Sequence, residues 1–205
     1  MTPNTDGCRR PPGAAAVGFD FTLHVGRLCG DVIARLPELR HVDLSRVAIS
    51  FCQTRKAASS GVFASLTPLR FAGGHTEIVR RGRRWGIQRL FGPGGRDMLY
   101  LLQFYLPRFL DLEFREKLDT VVHELWHVGP RFDGDLRRFS GRCYAHSGSR
   151  KGFDRQVQRL VDRWLALDPP EPLCAFLRCD FPTLVRRYGK VFGQRIRAPK
   201  LVPLS

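Results

Sequence analysis

The order of apolar and polar positions divides the chain into helical and extended stretches. Between Phe21 and Leu39, Leu23, Leu28, Val32, Ile33 and Leu36 recur at helical spacing and Pro37 ends the run, which predicts a first helix. Val42 to Thr54, with Val47-Ala-Ile-Ser-Phe51 inside it, reads as a strand. Gly61 to Phe71 reads as a second, and Pro68 confines it to a sheet edge or a bend. A third is expected around Trp85, between Glu77 and Phe91, with a turn at Gly73-Gly74 before it and another at Gly92-Pro-Gly-Gly95 after it. That glycine run has no lysine-serine pair and precedes an apolar strand, so it is a turn and not a phosphate loop. Asp97 to Pro107 is the most strand-like segment. Its terminal proline cannot donate to a ladder, which places the strand near an edge.

Helical spacing returns from Asp111 to Val128, where Leu118, Val122 and Leu125, with Val121 and Val128, form one apolar stripe. Asp111, Glu113 and Glu116 favour the positive end of that helix, and Gly129-Pro130 stops it. Phe153 to Leu167 is a further amphipathic helix ended by Asp168-Pro-Pro170. Phe181 to Val191 predicts a short last helix, followed by a basic extended tail. Together these elements predict an α+β fold with a small mixed or antiparallel sheet, one helix beneath it and others flanking. The 205-residue length accommodates a single domain over residues 18–205, preceded by a disordered tail at 1–17.

Composition changes this picture little, but charge does. The 43% apolar and 26% charged fractions are those of a globular protein, and no apolar run approaches a membrane span. The N-terminus resembles neither a secretory nor a twin-arginine signal, and six cysteines without a C-x-x-C pair predict reduced thiols, so the expected compartment is the cytoplasm. The net charge of +15 raises nucleic acid, DNA or RNA, as a partner. Residues 51–100 hold 9 basic residues against 2 acidic, with Arg80, Arg81, Arg83 and Arg84 gathered around Gly82. On the helix after Phe153, Lys151, Arg155, Arg159 and Arg163 follow at four-residue steps, and Arg155 and Arg159 join the candidate phosphate contacts. Only 5 of the 34 basic residues are lysine, a bias that a G+C-rich genome would also produce, and such stripes are commonly no more than a solvated face.

The chemistry concentrates in Thr120-Val-Val-His-Glu-Leu-Trp-His-Val-Gly-Pro130. His123 and His127 stand at i and i+4, one above the other on a helix face. Two imidazoles so placed can bind one zinc ion, with Glu124 as the general base of a metallopeptidase. For this His and Glu content roughly 0.005 chance H-E-x-x-H matches are expected. Histidines beside Val121, Val122 and Trp126 are also costly to bury without a partner. A catalytic zinc needs a third protein ligand. Asp133, Asp135, Cys143 and His146 are the candidates downstream, with His146 preferred and Asp133 as the alternative. Asp133 and Asp135 equally suit a turn around Gly134, paired with nearby arginines. Tyr144 is a candidate donor to the oxyanion.

His123-Glu-Leu-Trp-His127, followed by His146-Ser-Gly148 and by Phe153 opening a helix, resembles the SprT-like zincins, the Spartan proteases among them. The run from His123 to Arg138 is also similar to phage-type and archaeal metallopeptidases with H-E-L-L-H-I-P-x-x-F-x-G-x-L-R. The likeness covers roughly residues 95–165. It implies a zincin fold with its metal-binding core at about 95–168, a Zn2+ cofactor on His123, His127 and His146, and hydrolysis of a protein or peptide substrate. It also implies a substrate that adds as a strand beside the segment preceding the metal helix. Two departures stand out: Phe139 where some relatives carry histidine, and no C-terminal zinc ribbon. The other class of reading is a nucleic-acid-binding protein with a structural or vestigial metal site, or a protease acting on DNA-bound proteins.

Overall fold

In chain order the elements are β1 (Phe19–Asp20), α1 (Phe21–Arg35), β2 (Val47–Gln53), β3 (Ala64–Pro68), β4 (Glu77–Arg80), β5 (Arg83–Ile87), β6 (Tyr100–Leu106), α2 (Phe114–Trp126), α3 (Arg150–Ala166), α4 (Glu171–Cys174), α5 (Phe181–Tyr188), β7 (Val191–Phe192) and β8 (Leu201–Pro203). This computed structural model describes residues 18–54, 61–139 and 150–204, so the tail expected at 1–17 lies outside the described residues. The arrangement is α+β, as the pattern predicted.

The sheet that positions the site has the order β2-β6-β3, with β2 parallel and β3 antiparallel to β6. β6 is therefore the central strand, against the expectation that it lies near an edge. Its apolar run, broken only by Gln103, explains why: Tyr100, Leu101, Leu102, Phe104 and Leu106 are fully buried, which requires cover on both faces. Pro107 falls one residue beyond the strand and removes no ladder bond. The edge positions go to β2 and β3. The edge of β2 is covered, because the Phe51 N–H donates to the Gln194 carbonyl at 3.1 Å and the Ile196 N–H donates to Ser50 Oγ at 2.8 Å. β3, with its proline, is an edge strand as expected, with no further strand beside it among the described residues.

One face of this sheet carries Tyr100, Leu102, Phe104 and Leu106 into the main core, which α1, α2 and α3 complete with Leu28, Val32, Leu118, Val122, Val157 and Trp164. Burying each such side chain contributes roughly 1.5–3 kcal/mol. The other face, with Ala48 and Leu101, packs against Leu69 and Met98 and is covered by Ile87, Leu90 and Ile196. In α1 the Asp20 carboxylate caps the helix by accepting from the Leu23 N–H at 3.0 Å. Phe21, Val25, Leu28 and Val32 form its inner stripe, whereas Leu23 stands exposed, one position off that stripe.

α2 begins at Phe114, later than the acidic residues alone indicated, because a capping box fixes its start. The Glu113 carboxylate accepts from the backbone of Glu116, whose own carboxylate accepts from the Glu113 N–H at 3.0 Å. Arg115 pairs with Asp119 within α2 at 3.1 Å and ties α2 to α3 through Asp162 at 2.6 Å. Among the described residues no helix is long and apolar enough to cross a membrane. Cys29, Cys52 and Cys174 are free, but Cys179 is disulfide-bonded, which departs from the expectation of reduced thiols throughout. Spacing along the chain carries no information about which thiols meet in space.

Lys117 is buried in α2, its Nζ donating to the carbonyls of Leu177 at 2.9 Å and Cys179 at 3.0 Å. Burial pushes its pKa from 10.5 down to about 8. Between these two pH values the unfolded chain binds a proton that the folded chain has released, so this group raises stability as pH increases across the window. The gain amounts to about 3 kcal/mol. Denaturant unfolding of wild type and Lys117→Met at pH 7.5 and 10.5 checks it: the wild type is expected to gain about 3 kcal/mol on the variant as pH rises. A constant difference between the two would remove the buried-charge penalty.

Candidate metal centre

The end of α2 brings the H-E-x-x-H side chains together. His123 and Glu124 occupy the last turn and His127 is the C-cap residue, still in αR geometry. The two Nε2 atoms stand 3.1 Å apart with the rings steeply inclined, at 78°. An N–H···N hydrogen bond fits that separation. A tetrahedral zinc also fits it, because two nitrogens each 2.0–2.1 Å from the ion lie about 3.3 Å from one another. Phe153 of α3 packs against both imidazoles, with ring centroids 4.7 Å from His123 and 4.8 Å from His127. Phe139 lies behind it at 5.9 Å.

Glu124 is 8% exposed and points toward the β3 edge of the sheet. The Phe63 carbonyl accepts from the Tyr105 N–H and the Leu69 N–H donates to the Leu99 carbonyl, both at 2.9 Å. Odd-numbered residues of this edge therefore bond to β6, and Ala64 and Leu66 turn their peptide groups outward. The Leu66 N–H meets the Glu124 carboxylate. Burial raises the Glu124 pKa to about 7, and that N–H offsets part of the rise. Outside lies an open cleft of about 660 Å³, bounded by the 61–64 segment, by α2 through Glu116, Asp119, Thr120, His123 and Glu124, and by α3 through Asp154, Val157 and Gln158.

The segment after the motif folds back on α2 and fixes its end. The Arg137 N–H donates to the His127 carbonyl at 2.7 Å and the Gly129 N–H to the Asp135 carbonyl at 3.1 Å. Arg137 Nε donates to the Trp126 carbonyl at 2.8 Å while its guanidinium lies 3.8 Å from the Trp126 ring centroid. From the sheet, the Tyr100 hydroxyl donates to the Asp135 carbonyl at 2.8 Å and accepts from the Gly134 N–H at 3.1 Å. Gly134 has φ +88°, and a side chain there would strike Arg70. Thus Phe132, Gly134, Leu136 and Arg137, which carry the resemblance to the phage-type and archaeal metallopeptidases, serve here with Gly129 as the buckle that holds the histidine-bearing helix end.

Asp133 and Asp135 belong to that buckle and not to the histidine pair. Asp133 accepts from Arg131 at 3.0 Å and from the Asp135 N–H at 3.2 Å. Asp135 accepts from the Gly73 and Leu136 N–H groups, both at 2.8 Å, and from both arms of Arg138. Burial alone would raise the Asp135 pKa, but these donors hold it below the ordinary value. Among the described residues no three His, Cys, Asp or Glu side chains gather as a metal site, so Asp133 does not join His123 and His127. His146, Cys143 and Tyr144 lie outside the described residues. Of the arginines, Arg84 pairs with Glu77 and Arg163 with Glu38, whereas Arg155 and Arg159 stand exposed on α3. Sequence reasoning missed the part taken by Leu66 and Tyr100. Pro68 marked β3 as an edge, but nothing in the chain placed that edge against Glu124.

Comparisons with protein-family models, with curated proteins and with solved structures return no match.

The buckle leaves no space at Gly129, where an added Cβ would sit 2.6 Å from the Asp135 carbonyl oxygen. Gly129→Ala is expected to lower stability by about 1–3 kcal/mol. Urea unfolding checks this, and an unchanged midpoint would show that the loop is free to move away.

Proposed function

We propose that the protein is a zinc-dependent metallopeptidase. The observation that carries this reading is the convergence of the His123 and His127 Nε2 atoms at 3.1 Å beside a buried Glu124 that opens onto a cleft. His123 and His127 would hold the metal. His146 is the preferred third ligand, since the chain between it and Phe153 is short and Phe153 packs on both histidines. Zinc, when bound, would supply a water of lowered pKa and polarise the scissile carbonyl.

The rest of the chemistry belongs to the chain. With its pKa raised to about 7, Glu124 can accept a proton and pass it to the leaving amine. The outward peptide groups of Ala64 and the outward carbonyl of Leu66 offer an extended substrate main-chain partners, a role that falls to β3 because β6 is flanked on both sides. Glu116, Asp119 and Asp154 line the cleft, so substrates with Lys or Arg side chains suit it electrostatically.

The test is metal content and peptide hydrolysis, measured on the same preparations. Wild type is expected to hold about one zinc per chain and to cleave a Lys- and Arg-containing peptide mixture. His123→Ala and His146→Ala should each lose the metal and the activity. Glu124→Gln should keep the metal while activity falls by at least about 100-fold. Zinc-free wild type after reconstitution, or a fully active Glu124→Gln, would sink the proposal.

A further inference from the structure

After β3 in the chain, β4 and β5 form a hairpin that β8 extends into a three-stranded antiparallel sheet. The register sets Arg80 directly opposite Arg83 and Ile78 opposite Trp85. Arg80, Arg83 and Trp85 therefore share one face, at the end of the hairpin that turns through Arg81-Gly82. Like charges directly opposed across a ladder are unfavourable. The turn adds to this cost, since Arg81 takes φ +52°, a conformation that favours glycine or asparagine. Arg80, Arg81 and Arg83 are exposed and form no ion pair among the described residues, whereas the neighbouring Arg84 is paired with Glu77. Folding alone does not account for three unneutralised guanidinium groups at one hairpin tip.

These arginines line a pocket of about 470 Å³ together with the half-buried Trp85 and the exposed Leu201. The Arg83 guanidinium lies 5.6 Å from the indole centroid. An anionic chain that also presents flat aromatic faces matches this combination, because stacking on the indole and neutralisation by arginine then act together. A carboxylate-rich peptide would use only the charges. A duplex keeps its bases stacked on one another, away from the indole. We infer that the β4–β5 hairpin binds single-stranded nucleic acid, with a base against Trp85 and the backbone phosphates on Arg80, Arg81 and Arg83. This site is independent of the metallopeptidase reading.

The experiment is fluorescence anisotropy of the full chain with a labelled single-stranded oligonucleotide of about 12 nucleotides, titrated between about 50 and 200 mM salt. Arg81→Asn suits the turn and removes one charge, so it should reduce the slope of log K against log salt by about 0.7. Changing Arg80, Arg81 and Arg83 together to Gln should reduce it by about 2. Trp85→Phe keeps the apolar packing and, with Trp126 and Trp164 still emitting, should abolish the binding-induced change in tryptophan fluorescence. Trp85→Ala should weaken binding by at least about 5-fold. Affinity and slope unchanged in the triple variant would overturn the inference. So would equal competition by polyglutamate of matching charge, or tighter binding of a duplex of the same length.

Discussion

The Tyr100 hydroxyl joins the central strand to the loop that closes the motif helix, and the candidate site depends on that junction. A phenol buried this completely must find partners, and it finds both in one peptide neighbourhood, the Asp135 carbonyl and the Gly134 N–H. An unmade bond there would leave buried polar groups at roughly 1–3 kcal/mol each. The apolar surroundings push the Tyr100 pKa up to about 12, so the hydroxyl stays protonated and able to donate across the physiological range. From Asp135 the connection passes to Gly129, and from Arg137 to the carbonyls of Trp126 and His127. The helix end that presents two imidazoles is thus anchored to the sheet by hydrogen bonds, while Phe153 packs on the rings from α3.

This anchoring assigns physical tasks to residues that a motif search treats as spelling. Gly129 is glycine because the Asp135 carbonyl lies where a Cβ would be, and Gly134 because its backbone is left-handed beneath Arg70. Phe132 packs on Tyr100 with its ring tilted by 37° and the centroids 5.4 Å apart. Leu136 pairs with Val128, and Arg137 both caps the helix and covers Trp126. None of these side chains needs to touch a substrate to be indispensable. Similar wording in another chain therefore implies the same loop before it implies the same reaction.

Much of the fold was legible in the sequence because its elements are strongly periodic. The spacing of Leu118, Val122 and Leu125 places the motif helix, and the run from Tyr100 to Leu106 places its neighbouring strand. What the pattern could not give was which strand lies in the middle. Pro107 is an edge signal, yet it falls after the last paired residue, while the apolar run before it, broken only by the buried Gln103, carries the stronger information. The histidine pair and Glu124 were legible because their geometry is local, set by one helix. The contact of Leu66 with Glu124 and the diversion of Asp135 to Arg138 and Gly73 are long-range facts, set by how strands and loops pack. No local spacing encodes them.

Charge is divided between two surfaces in a way that the net value of +15 conceals. The cleft beside Glu124 is lined by carboxylates on both helices, while three arginines with no ion pair among the described residues crowd the hairpin tip. Asp119 is partly neutralised by Arg115, and burial still raises its pKa above the ordinary value. Exposed charges farther apart than about 8–10 Å are largely screened at physiological salt, so the cleft does not sense the overall positive charge. A cationic segment can therefore approach Glu124 in a protein that would repel it at long range in dilute salt. A polyanion meets the opposite ordering at the hairpin. The two surfaces are opposite in sign and share no residues, so the nucleic acid strand and the basic peptide proposed above would not compete for the same side chains.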